Sequence, residues 1–222
     1  MKVMKFGGTS VGSPDRMKNV ASLITESGDP TFVVLSAMSG TTNSLIEISN
    51  YLYKKNPDGA NEVINTLEKK YMQHVEELYS TDEYKEKTRE FLREEFKYMR
   101  SFTKDIFTSF EEKSIVAQGE IMSTNMVLNY LQEQGIKATL LSAFDFMRTD
   151  KNAEPDAQYI KEKLTAIMTE NEGYQIYITQ GFICLNAYGE IDNLQRGGSD
   201  FTASLIGVAL GAEEIQIWTD ID

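Results

Sequence analysis

The amino-acid sequence predicts an α/β fold built on a parallel sheet, and three observations support this prediction. A strand, helix, strand pattern opens the chain over residues 2–35, which is the order that begins a parallel α/β sheet. A long helical pattern follows, so we expect a helical subdomain at about residues 50–134. Strand and helix patterns then alternate again over residues 137–219.

The first three elements are bounded by turn residues. Residues 2–6 form a short candidate strand that stops at a pair of glycines. Ser13 and Pro14 suit the N-cap and the first position of a helix, and apolar residues recur at helical spacing after them. Residues 31–35 are almost all apolar and either β-branched or aromatic, which is typical of a strand buried on both faces.

Helical periodicity continues over residues 41–134. Two apolar stripes predict helix faces turned towards the core: Val63, Ile64, Leu67, Tyr71, Val75 and Leu78 in the first, and Phe91, Leu92, Phe96, Met99, Phe102, Ile106 and Phe110 in the second. The charges between the stripes are mixed in sign, as on solvated faces. A further helix is predicted at about 113–134, with Gly135 as its C-terminal stop.

Shorter elements complete the predicted sheet. Strands are expected at 137–141, 174–179 and 214–219, and helices at 156–170 and 199–211. A hairpin-like excursion is expected within 182–195.

Composition excludes several classes of protein. The chain has 222 residues, 41% hydrophobic and 25% charged, with a formal charge of -12, which suits a globular protein but not a nucleic-acid binder. Its one cysteine, Cys184, excludes an internal disulfide, and its one histidine, His74, argues against His-rich metal sites. We find no signal-peptide pattern and no apolar run of about 18 residues, so we expect a cytoplasmic protein with no membrane partner.

Two glycine-rich turns share one design. Residues 5–8, Lys-Phe-Gly-Gly, leave a strand, and residues 196–200, Arg-Gly-Gly-Ser-Asp, enter a helix. Glycine lets backbone amides approach a ligand closely, a helix N-terminus favours anions, and a cation beside each turn strengthens that preference. The turns therefore predict two cradles for phosphate or carboxylate groups, with plain tight connections as the alternative.

A third turn, residues 36–43, is rich in hydroxyl groups and follows the second strand. Ligands of open parallel sheets bind at the carboxyl ends of the strands, where all three turns would meet. N-capping is the alternative explanation for these hydroxyl groups. The sequence contains neither the Walker A pattern nor G-x-G-x-x-G, so a phosphate site here would belong to another fold family.

Taken in order, these motifs resemble those of aspartate kinases. Residues 5–12 are similar to the N-terminal signature of that family, and residues 36–43 to its second glycine- and hydroxyl-rich loop. Gln118-Gly119-Glu120 with Ser123 is similar to the start of its substrate-binding helix. Further similar segments, which extend the resemblance over the whole chain, are 146–156 (as in the lysine-sensitive type), 181–183, 196–200 and 218–222.

The resemblance implies an amino-acid-kinase fold, which is a three-layer αβα sandwich around a mostly parallel sheet. It implies transfer of the ATP γ-phosphoryl group, with Mg²⁺, to the side-chain carboxylate of L-aspartate, the first step of lysine, threonine and methionine biosynthesis. It also implies a homo-oligomer for the full-length protein. The alternatives are a kinase of the same fold that acts on glutamate, acetylglutamate or UMP, and a non-catalytic binding module.

The resemblance also implies roles for individual residues. Lys5 would stabilise the transferring phosphoryl group, and Asp200 would orient Lys5 rather than act as a base, because the substrate carboxylate is already ionised at neutral pH. Substrate contacts are implied for Thr42, Glu120, Arg196 and Ser199, with Glu120 on the ammonium group. Nucleotide or phosphate contacts are implied for Lys5, Gly7, Gly8, Ser36, Thr219 and Asp220. No residue is implied as a metal ligand.

The chain departs from the family pattern in two places. Residues 190–195 replace a threonine-rich stretch, and the sequence ends at Asp222, where nucleotide loops, a second lysine and regulatory domains would follow. We therefore expect residues 1–222 to be a catalytic domain truncated in its nucleotide-binding part, with little activity alone. We also expect His74 at the surface and Cys184 in the core. For Arg148 the alternatives are a structural ion pair and a role in a site or interface.

Overall fold

A five-stranded parallel sheet organises the protein, seen here in a computed structural model that describes residues 1–104, 106–195 and 197–219. The strands are β1 (Lys2–Phe6), β2 (Thr31–Leu35), β3 (Ala138–Leu140), β4 (Ile176–Gln180), β5 (Ile183–Leu185), β6 (Ile191–Asn193) and β7 (Glu214–Trp218). The sheet has the order β3-β4-β2-β1-β7, and β5 and β6 form a separate antiparallel pair.

Seven α-helices surround the sheet within the described residues. They are α1 (Pro14–Thr25), α2 (Thr41–Tyr53), α3 (Pro57–Leu78), α4 (Asp82–Ser101), α5 (Ser109–Glu133), α6 (Ala157–Glu170) and α7 (Gly198–Leu210). The predicted helical stretch is therefore four helices, α2 to α5. None of the helices is long and apolar enough to cross a membrane.

The central strand β2 divides the core into two parts. Val33 and Leu35 pack on one face with the residues of α1 to α5, and Phe32 and Val34 pack on the other with α6 and α7. All five residues of β2 are buried, as expected of a parallel strand covered on both sides. The sheet therefore lies between two helical layers.

Capping residues place the helix starts. The Ser13 hydroxyl accepts the Arg16 N–H at the start of α1, where Pro14 takes the first helical position. Thr108 and Glu111 form a reciprocal capping box at the start of α5. This box starts α5 at Ser109, four residues earlier than the apolar pattern predicts.

The second apolar stripe is predicted too long. Ile106 is 86% exposed and Phe110 is 50% exposed, so neither belongs to the core. The helix α4 ends at Ser101 and a short 3₁₀ turn follows at Phe102–Lys104, so the helical register is lost before Ile106. The apolar spacing continued by coincidence through a connection that is not α-helical.

Three side chains are placed by their contacts. Arg148 Nη2 lies 2.7 Å from Asp156 Oδ2, so Arg148 forms the ion pair that was one of its two alternatives. Cys184 is fully buried, and burial raises the pKa of its thiol to about 12, as expected for an inert core residue. The expectation for His74 is wrong: its ring is half-buried beside Tyr71, and burial lowers its pKa.

Candidate active site

A cleft of about 680 Å³ opens at the carboxyl ends of β1, β2 and β4. The turn over residues 36–40 forms one wall and residues 197–200 form the other, with Lys5 and Glu120 between them. Ligands of open parallel sheets bind at this edge. The three turns singled out in the sequence therefore meet at one place.

Lys5 and Asp200 form an ion pair in this cleft. Lys5 Nζ lies 2.8 Å from Asp200 Oδ1, and the side chains are 10% and 54% exposed respectively. Lys5 is supplied by the penultimate position of β1, and Asp200 by the first turn of α7, where a carboxylate is favoured by the helix dipole. The carboxylate thus holds a nearly buried ammonium group at the mouth of the cleft.

Two helices begin at the walls of the cleft without a side-chain cap. Gly40 precedes α2 with φ 82°, and Gly197 precedes α7 with φ 75°, both in the left-handed region that glycine adopts easily. Neither residue supplies a side-chain hydrogen bond to the first helical turn. The N–H groups of Thr41 and Gly198 donate to the carbonyl oxygens of Met38 and Gln195. An anion in the cleft would therefore meet the N–H groups of the later residues in each first turn.

Glycine brings the walls and the floor of the cleft close together. A Cβ atom at Gly8 would lie 2.7 Å from the Ala37 carbonyl oxygen, and one at Gly181 would lie 2.5 Å from Ser199 Oγ. The hydroxyl of Ser36 then reaches that of Ser199 on the opposite wall, with 2.9 Å between the two oxygens. Any larger residue at Gly8 or Gly181 would push these turns apart.

Glu120 is a buried carboxyl group at the floor of the cleft. The residue is 4% exposed, its Oε1 accepts the Ala37 N–H at 3.4 Å, and its Oε2 has no partner among the described residues. Burial raises the pKa of Glu120 to about 8. An ammonium group bound at Oε2 would favour the ionised form, so this site is suited to a cation.

Glu120 lies in the interior of α5 and not at a helix start, which corrects the position expected from the motif. A Cβ atom at the neighbouring Gly119 would come within 2.8 Å of Ala37 Cβ. The glycine therefore lets the middle of a long helix approach the turn after β2. This close approach places the carboxyl group in the cleft.

The other candidate residues fall into three groups. Gly8, Ser36, Thr42 and Ser199 line the cleft, while a Cβ atom at Gly7 would lie 3.5 Å from Lys5 Nζ. Thr219 is exposed after β7 and is not part of the described lining. Arg196 and Asp220 lie outside the described residues.

Sequence reasoning missed several residues of the cleft. Phe182, Asn193 and Gln195 line it, and Phe182 has a left-handed backbone, with φ 70°. The position of Phe182, directly after the glycine that follows β4, could have indicated a place in the cleft. Tyr71 was assigned to an apolar stripe, yet its hydroxyl lies 2.8 Å from Thr41 Oγ1, at the first residue of α2.

With this geometry established, known proteins can be compared. The sequence profile described as the Amino acid kinase family matches residues 1–222. The chain belongs to the amino acid kinase family. Lysine-sensitive aspartokinase 3 of Escherichia coli (strain K12) is 32% identical over 224 residues, which cover 99% of this chain and 49% of that protein. Chloroplastic aspartokinase 2 of Arabidopsis thaliana is 34% identical over 99% of this chain and 42% of its own length.

Solved structures agree with the family assignment. The crystal structure of E. coli aspartokinase III in complex with aspartate and ADP, in its R-state, matches with a TM-score of 0.84 and 31% identity. The match covers 100% of this chain and 49% of that one. The chain thus spans about half the length of these amino acid kinase relatives. The predicted resemblance to aspartate kinases and the predicted αβα sandwich are confirmed.

Proposed function

We propose that the protein is an aspartate kinase, which transfers the γ-phosphoryl group of ATP to the side-chain carboxylate of L-aspartate to give 4-phospho-L-aspartate. The observation that carries the proposal is one cleft that holds the Lys5–Asp200 pair, the buried Glu120 carboxyl group and two uncapped helix N-termini. A zwitterionic dicarboxylate needs a carboxylate for its ammonium group and N–H donors or cations for its carboxylates. The relative crystallised with aspartate and ADP supports the same substrates.

Lys5 is the group that stabilises charge during transfer. Phosphoryl transfer depends on positioning and on neutralising charge spread over the phosphoryl oxygens. Asp200 pairs with the Lys5 ammonium group and so orients it in the cleft, which is the proposed role of Asp200. The accepting carboxylate of aspartate is already ionised near neutral pH, so Asp200 is not required as a base.

The substrate amino acid lies between Glu120 and the start of α7 in this proposal. Glu120 Oε2, which is buried without a partner among the described residues, pairs with the substrate ammonium group. Ser199, Thr42 and Arg196 hold the carboxylates, with Arg196 assigned by the motif alone. The N–H groups that follow Thr41 and Gly198 in the first turns of α2 and α7 would add donors for the same anionic groups.

The nucleotide approaches from the β1 and β7 side of the cleft. Lys5, Gly7, Gly8 and Ser36 would contact its phosphates, and Thr219 and Asp220 would begin the site for the rest of the nucleotide. The described residues contain no group of three acidic, cysteine or histidine side chains arranged to hold a metal ion. Mg²⁺ would enter the cleft on the ATP phosphates, keep several water ligands and neutralise phosphate charge beside Lys5.

The organisation of the whole protein belongs to the same proposal. Residues 1–222 form the amino-acid-binding part of a kinase domain, and a nucleotide-binding part would complete it. The complete protein is proposed to be a homo-oligomer. A cytoplasmic location is proposed as well.

An ADP-release assay on the complete gene product tests this function. We expect turnover with L-aspartate and none above background with L-glutamate, N-acetyl-L-glutamate or UMP. Absence of aspartate-dependent ADP release would refute the proposal. Turnover with one of the other three acceptors alone would identify another kinase of this family.

Lys5→Met tests the proposed chemistry with a matched control on the same strand. Loss of the ammonium group is expected to lower kcat by about 10²–10³-fold, as for removal of one charge-stabilising donor. Lys2→Met at the opposite end of β1 should leave kcat within about twofold, since Lys2 does not line the cleft. Equal effects of the two substitutions would remove Lys5 from the site.

A further inference from the structure

One peptide group, between Ser36 and Ala37, is held at both ends by the helix α5. Its carbonyl oxygen accepts the Ser123 hydroxyl at 2.7 Å, and its N–H donates to Glu120 Oε1 at 3.4 Å. The same hydroxyl also lies 3.3 Å from the Glu120 carbonyl oxygen, but the bond to Ser36 is shorter. The peptide group thus bridges two side chains of one helix.

The side chains of Glu120 and Ser123 both bind the planar Ser36–Ala37 peptide group. Glu120 and Ser123 are three residues apart in α5 and therefore lie on the same helix face. A trans peptide group is planar, with its C=O and N–H pointing in opposite directions. Fixing the carbonyl oxygen of Ser36 therefore fixes the direction of the Ala37 N–H as well.

The peptide group also connects the two walls of the cleft. The hydroxyl of Ser36 donates to Ser199 Oγ at 2.9 Å, across the cleft at the start of α7. Ser123 itself is fully buried and does not line the cleft, so it cannot act on a substrate directly. The shorter of its two hydrogen bonds, to the Ser36 carbonyl oxygen, connects Ser123 to the wall of the cleft.

We propose that Ser123 is a positioning residue that fixes the Ser36–Ala37 peptide group, so that the Ala37 N–H points at Glu120 and the Ser36 hydroxyl reaches Ser199. Only the kinetic readout below rests on the proposed function, because it takes the ammonium group of L-aspartate as the ligand of Glu120. The arrangement of the peptide group stands on the distances alone.

The bond from Ala37 acts on the charge of Glu120. Burial raises the pKa of Glu120, while its own backbone N–H and that of Ala37 oppose the rise. The other titratable groups near it in the described structure are Tyr71 on α3, and Lys5 and Asp200, which pair with each other. Without the Ser123 hydroxyl the peptide group can rotate, and the pKa of Glu120 should rise further.

NMR of the ligand-free complete gene product tests the proposal, with ¹³C in glutamate carboxyl groups and ¹⁵N in alanine. Glu120→Gln identifies the Glu120 signal. In the wild type, the Ala37 N–H shift should follow the ionisation of Glu120. In Ser123→Ala, that dependence should disappear, and the pKa of Glu120 should rise by about 0.5 to 1, the equivalent of one net hydrogen bond.

Ser114→Ala is the matched control, because Ser114 is a buried serine of α5 that donates only to the Phe110 carbonyl of its own helix. It should leave the titration of Glu120 unchanged. The proposal is overturned if Ser123→Ala and Ser114→Ala titrate alike. It is also overturned if the wild-type Ala37 N–H does not respond to Glu120, a result that needs no variant to fold.

Kinetics give a second readout. Ser123→Ala should raise the KM for L-aspartate several-fold between about pH 6 and pH 8, where Glu120 must lose a proton to bind the ammonium group. The rise should fade at higher pH, which shifts the pH profile of KM upwards, and kcat should stay within about twofold of the wild type. An unchanged KM profile would contradict the positioning role. A wild type without aspartate turnover would instead refute the proposed function, while the ligand-free NMR result would still decide the arrangement of the peptide group.

Discussion

Glu120 combines burial, an unpartnered oxygen and a raised pKa in one side chain. The unfolded chain exposes this carboxyl group to water, where its pKa is 4.5, whereas in the fold the pKa is about 8. Between these values the folded state keeps a proton that the unfolded state has lost. Stability therefore falls as the pH rises through this window, by about 1.4 kcal/mol per pH unit for one proton.

Glu120→Gln should remove this pH dependence. The amide cannot ionise, so the stability of the variant relative to the wild type should increase from about pH 4.5 to about pH 8 and level off above. Urea unfolding at several pH values measures the difference. Glu90→Gln on the exposed face of α4 is the control and should give a flat difference; a flat difference for Glu120→Gln too would mean that Glu120 is ionised in the fold.

The helix α5 reaches the cleft because Gly119 has no side chain. Gly119→Ala would place a Cβ atom 2.8 Å from Ala37 Cβ and 3.3 Å from Leu45 Cδ1, and should displace the turn that lines the cleft. We expect a loss of about 1–3 kcal/mol in the free energy of unfolding, together with weaker aspartate binding. Urea unfolding and the KM for L-aspartate measure the two effects.

A second substitution makes this prediction sharper. Ala37→Gly removes the opposing Cβ atom, so the double variant should recover part of the stability that Gly119→Ala loses. The interaction energy from the double-mutant cycle is the quantity to compare. Strict additivity of the two substitutions would show that Gly119 and Ala37 do not press on each other.

The helix α3 supports α2 through one buried hydroxyl. Tyr71→Phe removes the partner of the Thr41 hydroxyl at the first residue of α2, which should lower stability by about 1–2 kcal/mol and raise the KM for L-aspartate. Tyr79→Phe is the control, since its buried hydroxyl bonds to the Met126 carbonyl at 2.6 Å, away from the described cleft lining. It should lower stability similarly without changing KM; equal KM values for both variants would limit Tyr71 to a structural role.

Local patterns were sufficient for most elements. The pair Ser13-Pro14 predicted the start of α1, and an apolar run predicted the bounds of β2. Both predictions are correct because capping and burial depend on residues that are neighbours in sequence. The second apolar stripe wrongly placed Ile106 and Phe110 in the core, because apolar spacing alone does not reveal where a helix ends.

The candidate site was predictable only in part, and its residue roles remain proposals. Motifs drew attention to Lys5, Glu120 and Asp200, which the structure brings into one cleft. The bonds of Ser123 to Ser36 and of Tyr71 to Thr41 join segments far apart in sequence. Such contacts depend on how helices pack on the sheet, and no spacing within a single segment encodes them.

At the scale of the molecule, the sheet divides into a protected centre and an open edge. Strand β2 is buried and pairs with both β1 and β4, while β7 pairs only with β1 among the described residues and exposes three of its five residues. Amide hydrogen exchange should be slower in β2 than in β7. Equal protection of β7 and β2 would show that β7 is covered in solution.

The pairing of β1 with β7 also has a consequence for protein synthesis. Lys5 is synthesised before its partner Asp200 and before β7, one of the two neighbours of its strand, with most of this sequence between them. Contacts between such distant segments form slowly, because a long loop must close first. The strand β1 therefore stays paired on one side only until β7 has been synthesised, and Lys5 reaches its final position after that.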